Sequence, residues 1–186
     1  MKTSFKSFLN RRMVCVFLLG ISSGLPLLLI GSTLKAWMKD EKVDLTIIGI
    51  YALVGLPYTF KFLWAPLMDR FTPPFLGRRR GWILICQIAL AFGFISMAVV
   101  SPSQAPVAMA FIAFVVAFFS ASQDIAIDAY RRDVLNDEEL GLGSSMAVNG
   151  YRIGMLIAGA LALALADHVA WKIVYFVMSC LKRRLN

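Results

Sequence analysis

The stretch VAMAFIAFVVAFFSASQDIAI, residues 107–127, is long and apolar enough to cross a lipid bilayer as one helix. An α-helix rises about 1.5 Å per residue, so about 20 apolar residues span the hydrocarbon core. Asp124 lies near the end of this stretch, and Asp128, Arg131 and Arg132 follow it. A membrane helix that contains an acid predicts both a membrane fold and a site that uses the acid, because buried charge in lipid is costly.

The composition of the whole chain agrees with a membrane protein. Its 186 residues are 59% hydrophobic and 16% charged, whereas soluble domains carry about 25% charged residues. The net charge of +8 comes from short clusters beside apolar stretches, which is typical of membrane topology signals and does not favour nucleic-acid binding. The three cysteines lie inside apolar stretches, without the spacing of a metal site, so neither a metal nor another cofactor is expected.

Five apolar stretches are long enough to be transmembrane helices, at about 13–36, 46–68, 82–100, 107–127 and 146–166. A sixth begins at Trp171 and ends at Leu181, about 16 Å of helix or half of the hydrocarbon thickness. The predicted fold is an all-α membrane protein with a bundle over 13–181, five full transmembrane helices and a truncated sixth. The last residues, 182–186, are predicted to be a basic tail at which a truncation, a frameshift or a cloning boundary interrupts the helix.

Basic residues occur on alternate connections. They lie in the N-terminal segment 1–12, in the connection with Arg78, Arg79 and Arg80, and beside Arg131. If the helices alternate in direction, all three segments lie on one side, which the positive-inside rule makes cytoplasmic. The chain is therefore predicted to be multi-pass, with its N-terminus in the cytoplasm.

Three ionisable residues are predicted to lie within the membrane, about 5 to 10 Å from its inner boundary: Lys61, Asp124 and Arg152. Tyr58 and Asn149 lie near the two bases in sequence, which favours a polar cavity wall over a lipid-facing surface. Such a cavity would attract an anion, since low-dielectric walls focus its field. The alternative is that both basic side chains extend along lipid to the interface.

Helical spacing places Ser120, Asp124, Asp128 and Arg131 on one face of the fourth helix. Asp128 is predicted to pair with an arginine of the second connection, or with Arg131 or Arg132, and so to close a cytoplasmic gate. Asp124 lies one turn deeper, where it could carry a proton. The alternative is that both aspartates are static salt-bridge anchors.

Glycine and proline within the spans predict local irregularities. SSGLP at 22–26 and GLPYTFKFLWAP at 55–66 predict bends that either shape the packing or line a cavity. Small residues repeat every four positions in the fifth span and predict close approach of another helix: Gly150, Gly154, Ala158, Ala162 and Ala166.

The motif APLMDRFTPPFLGRRRGW, residues 65–82, resembles the loop between the second and third helices of major facilitator superfamily transporters. Here Ala65 replaces the usual glycine, and FTPPFL separates the acid-base pair from Gly77 and the arginines. The resemblance implies a cytoplasmic gate in this loop. With the residues of the fourth helix, the predicted gate comprises Asp69, Arg70, Arg78, Arg79, Arg80, Asp128, Arg131 and Arg132.

Four further stretches resemble the AmpG muropeptide permeases of Gram-negative bacteria: GISSGLPLLLIGSTLKAWM, GLPYTFKFLWAPLMDRF, SQDIAIDAYRRDVL and GLGSSMAVNGYRIG. The resemblance covers residues 13 to about 176. It implies the N-terminal helical bundle of a major-facilitator-type transporter in the bacterial inner membrane, importing anhydromuropeptides with protons for cell-wall recycling. The acetyl-CoA transporters share some of the pattern and are the nearest alternative.

The resemblance also implies that the chain holds one half of a two-half transporter. Its expected partners are the lipid bilayer, an anionic muropeptide, protons, and the missing C-terminal half or another copy, without which it is expected to be inactive. The alternative is a non-transporting fragment or an accessory membrane protein. An enzyme is not expected, because the single histidine, His168, lies in an outer turn away from Asp124 and no nucleophile and base share a face.

Overall fold

The computed structural model describes residues 10–71, 73–74 and 77–184, and within these ranges the chain forms helices and no strand. Most of the predicted basic N-terminus, 1–9, and the last two residues of the predicted tail lie outside the described residues. The helices are α1 (Arg11–Asp40), α2 (Leu45–Leu63), α3 (Ala65–Arg70), α4 (Arg78–Val99), α5 (Pro106–Val134), α6 (Leu140–Ala166) and α7 (Trp171–Arg184).

Five of the described helices, α1, α2, α4, α5 and α6, are long and apolar enough to cross a membrane, which confirms the predicted number. α4 and α5 extend beyond their apolar segments into the arginine-containing ends. α7 begins at Trp171 as predicted but continues to Arg184, so the tail that the sequence predicted begins inside a helix. A helix does not end where apolar sequence ends, because its backbone hydrogen bonds continue while the residues are good helix formers.

The core lies where α1 meets α4, α5, α6 and α7. Its largest enclosed side chains include Trp37, Phe94 and Tyr175. α1 and α5 are the most enclosed of the long helices, whereas α2 and α6 leave most of their surface uncovered. The packing therefore places α1 and α5 at the centre, with α2 and α6 on their flanks.

α1 and α6 pack almost backbone to backbone. A methyl group on Gly24 would overlap the Tyr151 carbonyl oxygen, and one on Gly154 would overlap the Ile21 carbonyl oxygen. Small residues are required here because only they allow so close an approach. The small-residue stripe predicted in the fifth span is confirmed as a packing surface, with Gly150, Gly154, Ala158 and Ala162 all buried.

The predicted irregularity of α1 is also found. Pro26 precedes a wider π-type turn at Leu29–Thr33, and α6 contains a similar turn at Ile157–Leu161. The two turns contact each other, and side-chain hydroxyls bond to their carbonyls: Tyr175 donates to Leu29 at 2.6 Å, and Thr33 donates to Ala158 at 2.8 Å. Side chains thus satisfy carbonyls where regular helical geometry is interrupted.

α2 is irregular where its glycine and prolines predict. The segments Tyr51–Gly55 and Lys61–Leu63 have tighter 3₁₀ geometry, and Pro57 lies near the start of the turn between them. Proline lacks a backbone donor and therefore disturbs regular α-helical bonding. The second of these 3₁₀ segments begins at Lys61.

Glu41 connects the turns at the end of the bundle opposite the arginines. Its carboxylate accepts hydrogen bonds from Trp37 Nε1 at 2.8 Å, Ser101 Oγ at 2.7 Å and the Ser103 backbone N–H at 3.1 Å. Partial burial raises the pKa of Glu41, but the hydrogen bonds from Ser103, Ser101 and Trp37 outweigh burial and hold that pKa below its usual value. The α1–α2 turn is thereby joined to the α4–α5 turn.

Candidate functional site

A polar cavity of about 200 Å³ lies among α1, α2, α5 and α6. Its polar lining consists of Ser23, Lys61, Asp124, Asp128, Arg131 and Tyr151. The sequence predicted that Ser120, Asp124, Asp128 and Arg131 share a face, and the last three of these line this cavity. Residues spaced three or four apart on a helix point the same way, which accounts for the agreement.

Asp124 is the most enclosed of the acids in the polar cavity, with 9% of its surface exposed. Its carboxylate oxygen accepts a hydrogen bond from the Ser23 hydroxyl, which α1 presents one residue before Gly24. The close packing of α1 against α6 fixes α1 near α5 and so brings Ser23 to the acid. A buried carboxylate with a protein hydrogen-bond partner can stay in an apolar environment, because the bond offsets part of the desolvation cost.

Lys61 reaches the polar cavity from α2. Its side chain is partly exposed, lines the same space as Asp124, and lies within electrostatic range of that carboxylate. The structure therefore brings together two of the three ionisable residues that the sequence placed in one layer.

Arg152 and Asn149 do not line the polar cavity. Both are exposed, and their neighbour Tyr151 lines the cavity instead. The physical reason is that Gly150 and Gly154 fix the face of α6 that contacts α1, which leaves Arg152 on the uncovered side of the helix. Of the three residues predicted at one depth, Lys61 and Asp124 thus share the cavity, and Arg152 lies apart from it.

Tyr58 also lies outside the lining of the polar cavity. Its hydroxyl is buried beside Ser120 and within electrostatic range of Asp124. Tyr58, predicted to form a polar cavity wall beside Lys61, therefore lies near Asp124 but approaches the acid from a different direction than Lys61 does.

An ion cluster lies at the arginine-containing end of the bundle. Arg79 of α4 pairs with Asp69 of α3 and, through Nε at 3.1 Å, with Asp133 of α5. The arginine side chain is 18% exposed, while the two aspartates are about half exposed. We call Asp69, Arg79 and Asp133 the arginine clamp, because one guanidinium joins three helices.

The other predicted gate residues divide into paired and solvent-facing groups. Asp128 pairs with Arg131 at 3.2 Å, one of the arrangements that the sequence left open. Its predicted pairing with an arginine of the second connection is not found, since Arg79 bonds to Asp133 instead. Arg132 pairs with Asp137 at 3.6 Å. The Arg80 guanidinium lies 5.9 Å from the Tyr130 ring centroid. Arg70 and Arg78 are exposed.

Sequence reasoning assigned no site role to Asp133, Ser23 or Lys182. Lys182, predicted to lie in a basic tail, is 2% exposed, and its ammonium donates to the Ser22 carbonyl at 2.8 Å. The signal was periodicity, because Val174, Met178 and Lys182 are four residues apart and share the buried face of α7. The local sequence gives no such signal for the Ser23 contact, which depends on tertiary packing.

A larger cavity of about 630 Å³ lies between α4 and α7, but its lining is mainly apolar, with Leu84, Ile88 and Phe92 among its residues. A lipid-facing groove has this composition, because acyl chains cover it without hydrogen bonds. The polar cavity is therefore the better candidate site in spite of its smaller volume.

These features define a multi-pass membrane protein of the transporter class, with a buried acid beside a cavity and an ion clamp at one end. Residues 12–181 match the Major Facilitator Superfamily model, and the chain belongs to this superfamily.

Several curated relatives are similar over nearly the whole chain. The anhydromuropeptide permease of Escherichia coli K12 is 51% identical over 175 residues, which are 94% of this chain and 36% of that protein. A protein of Rickettsia conorii with the name "Putative transporter AmpG 4" is 38% identical over 179 residues, 94% of this chain and 43% of its own length. The resemblance to the AmpG permeases is confirmed, and the chain spans about two fifths of the length of these relatives.

Proposed function

We propose that this chain forms part of a bacterial inner-membrane permease that imports anhydromuropeptides together with protons, with its N-terminus in the cytoplasm. The observation that carries the proposal is the buried Asp124 carboxylate, held by Ser23 at a cavity that also contains Lys61. The similarity to the E. coli anhydromuropeptide permease supports the substrate class. The remaining part of such a permease, or another copy of this chain, is the proposed partner that completes the pathway.

The charges of the polar cavity suggest how substrate and proton are coupled. Lys61 and Arg131 supply two positive charges, and Asp124 and Asp128 supply two negative charges, so the ionised lining is neutral. A proton on Asp124 leaves a net charge of +1 and releases Lys61 from its opposing carboxylate. The cavity then attracts an anionic substrate group more strongly, because its low-dielectric walls screen charge poorly. When Asp124 loses the proton, the lining is neutral again, its attraction for the anionic group weakens, and release of the substrate is favoured.

Arg152 and Asn149 contribute to substrate binding from a second direction in this proposal. Both lie on the uncovered flank of α6, where a partner bundle would enclose a substrate between the two halves. Arg152 would meet a second anionic group, and the Asn149 amide would hydrogen-bond to uncharged parts of the substrate.

The predicted gate closes the cytoplasmic end in this scheme. The arginine clamp holds α3, α4 and α5 together, and Asp128 with Arg131 closes the adjacent rim of the polar cavity. Arg70, Arg78, Arg80 and Arg132 would strengthen the positive field there. Opening toward the cytoplasm requires these exchangeable ion pairs to separate, which costs little because they are partly hydrated.

The test is uptake by a chimera in which this chain replaces the matching 175 residues of the E. coli permease, in cells that lack their own permease. Asp124→Asn is expected to reduce proton-driven uptake at least about tenfold, while substrate binding persists, because asparagine keeps the shape but cannot exchange a proton. Lys61→Gln and Arg152→Gln are expected to weaken anionic muropeptide binding by about tenfold, the effect of losing a charged hydrogen bond.

Lys172→Gln is the matched control for lost positive charge, since Lys172 lies at the opposite end of the bundle at the start of α7. Uptake by the Asp124→Asn chimera that still follows the proton gradient at the parent's rate would refute the carrier role of Asp124.

A further inference from the structure

Two buried hydroxyl groups lie beside Asp124, outside the polar cavity. Tyr58 Oη on α2 and Ser120 Oγ on α5 are enclosed, and neither forms a hydrogen bond with the described protein groups. The two hydroxyls lie within side-chain contact range of each other, and the Asp124 carboxylate acts on Tyr58 electrostatically. Their mutual geometry is not that of a direct hydrogen bond.

The position of this hydroxyl pair relative to Asp124 is set by the helices. Ser120 lies one turn before Asp124 on α5, and Tyr58 lies one turn before Lys61 on α2. Both helices run toward the arginine clamp, so the hydroxyls are about 5 Å farther from it than the charged groups are. Asp124 therefore has the polar cavity on its clamp side and the hydroxyl pair on the opposite side.

Leaving a hydroxyl buried without a partner costs about 1 to 3 kcal/mol, and buried polar groups without protein partners usually bind ordered water. A buried water needs two to four polar partners. Tyr58, Ser120 and Asp124 supply three. Both hydroxyls are buried between packed helices and outside the polar cavity lining, an enclosure that suits one water rather than a sugar or peptide group.

We propose that Tyr58 and Ser120 bind a water molecule that hydrogen-bonds to Asp124 and gives this acid a proton path on the side away from the arginine clamp. The inference rests on the proposed proton-carrying role of Asp124 and specifies the route to it. The proton would then reach Asp124 through the water path on one side, and the substrate would reach it through the polar cavity on the other side.

The transfer conserves protons at every step. The bound water gives one proton to the Asp124 carboxylate as it accepts another from the Tyr58 hydroxyl, and Tyr58 is reprotonated by a hydrated proton on the outer side. Ser120 orients the bound water and stays neutral. One hydrated proton is consumed, protonated Asp124 is formed, and no other group changes its charge.

The proposal can be tested on the full chain in lipid nanodiscs by infrared difference spectroscopy between acidic and neutral pH. A protonated-carboxyl band that disappears in Asp124→Asn reports the acid, and an O–H band that shifts in H₂¹⁸O reports bound water. Tyr58→Phe and Ser120→Ala are expected to lose the water band, retain the acid band, and slow hydrogen–deuterium exchange of the acid at least about tenfold. Each variant removes a single oxygen, so the fold is expected to survive, and helical circular dichroism checks this.

Tyr175→Phe is the matched control, because the buried Tyr175 hydroxyl already bonds to the Leu29 carbonyl. It is expected to leave the water band and the exchange rate unchanged. A water band that persists in both Tyr58→Phe and Ser120→Ala, or exchange as fast as in the parent, overturns the inference. A missing carboxyl band overturns the carrier role of Asp124 instead, and the ¹⁸O-sensitive band then decides separately whether the water site exists.

Discussion

Asp124 receives its surroundings from several helices: the Ser23 hydroxyl from α1, the positive charges of Lys61 from α2 and Lys182 from α7, and the Asp128 charge from its own helix. Glu41, at the opposite end of the bundle, receives three hydrogen bonds but is less enclosed. The two acids illustrate different uses of a carboxylate. Glu41 is fully partnered and joins two turns, whereas Asp124 has few hydrogen-bond partners beside a cavity, which suits the proton exchange proposed for it.

The hydrogen bonds of Glu41 make a prediction about acid stability. The folded-state pKa lies below the ordinary value of 4.5, so the stabilisation is present above pH 4.5 and is lost as the pH falls through the lower, folded-state pKa. Glu41→Gln is expected to lower thermal stability at neutral pH and to flatten its decline in acid. Thermal unfolding of the chain in detergent across this pH range measures the effect.

Glu138→Gln, on an exposed loop residue, is the control for loss of a negative charge. If the melting temperatures of the parent and Glu41→Gln fall equally as the pH is lowered, Glu41 does not stabilise the outer turns.

At the scale of elements, the contact between α1 and α6 decides which groups reach the polar cavity. Gly24 and Gly154 allow the backbones to approach, and the adjacent residues Ser23 and Tyr151 then face the cavity. Packing and site are thus coupled, because a change in the separation of α1 and α6 also moves the hydroxyl that bonds to Asp124.

Gly24→Ala is expected to destabilise the bundle by about 1 to 3 kcal/mol, the usual cost of overpacking. The added methyl group overlaps the Tyr151 carbonyl, and backbone cannot move aside as a flexible side chain can. Thermal unfolding in detergent measures the loss. Gly31→Ala provides the control on the same helix, because a methyl group there meets no atom within 4 Å. Equal melting temperatures for the two variants would contradict the close contact.

The arginine clamp makes a second prediction at this scale. Arg79→Gln removes both ion pairs and is expected to loosen the connection after α3, while global stability falls by less than about 2 kcal/mol because such exposed pairs are weak. Chymotrypsin cleavage at the exposed Phe71 should become about fivefold faster, as expected for a local loss of about 1 kcal/mol.

Arg78→Gln has the same change of charge at an exposed position and should leave this cleavage rate unchanged. Arg79→Lys is expected to be intermediate, because an ammonium keeps the charge but lacks the planar fork that reaches two carboxylates. If both glutamine variants are cleaved at the same rate, Arg79 has no specific clamping role.

At the scale of the whole molecule, the charge is distributed unevenly along the bundle axis. Arg79, Arg131 and Arg132 gather at one end, and Glu41 marks the other. From this asymmetry we predict the orientation in a membrane, with the arginine clamp in the cytoplasm, since basic connections usually stay on that side. The short turns between the long helices then alternate between the two sides.

Orientation can be measured with single cysteines in a chain whose Cys15, Cys86 and Cys180 are replaced by alanine. Ser103→Cys, in the turn before α5, is expected to react with a membrane-impermeant maleimide added outside intact cells. Asn136→Cys, in the turn after α5, should react only after the membrane is permeabilised. The reverse pattern would invert the topology and remove the cytoplasmic assignment of the arginine clamp.

Much of the site could be predicted because it follows helical periodicity. Asp124, Asp128 and Arg131 share a face by spacing alone, and Lys61 was placed at the same depth by counting residues along α2. Arg152 shows where this method stops. Counting residues along a helix gives the depth of a side chain in the membrane but not the direction in which it faces. For α6 that direction is set by the glycine contact with α1. Asp133 was missed for a related reason, since which acid meets Arg79 depends on the relative position of three helices.

The sequence by itself determined the membrane class, the number of long helices and the positions of the small-residue stripe, because each depends on apolar length or on local spacing, and its motifs carry the resemblance to the family. Only the tertiary structure decided that Ser23 bonds to Asp124, that Tyr151 rather than Arg152 lines the polar cavity, and that Lys182 is enclosed. These contacts join residues far apart in the chain. They depend on how each helix is rotated and how closely it packs, and periodicity within one helix cannot supply either quantity.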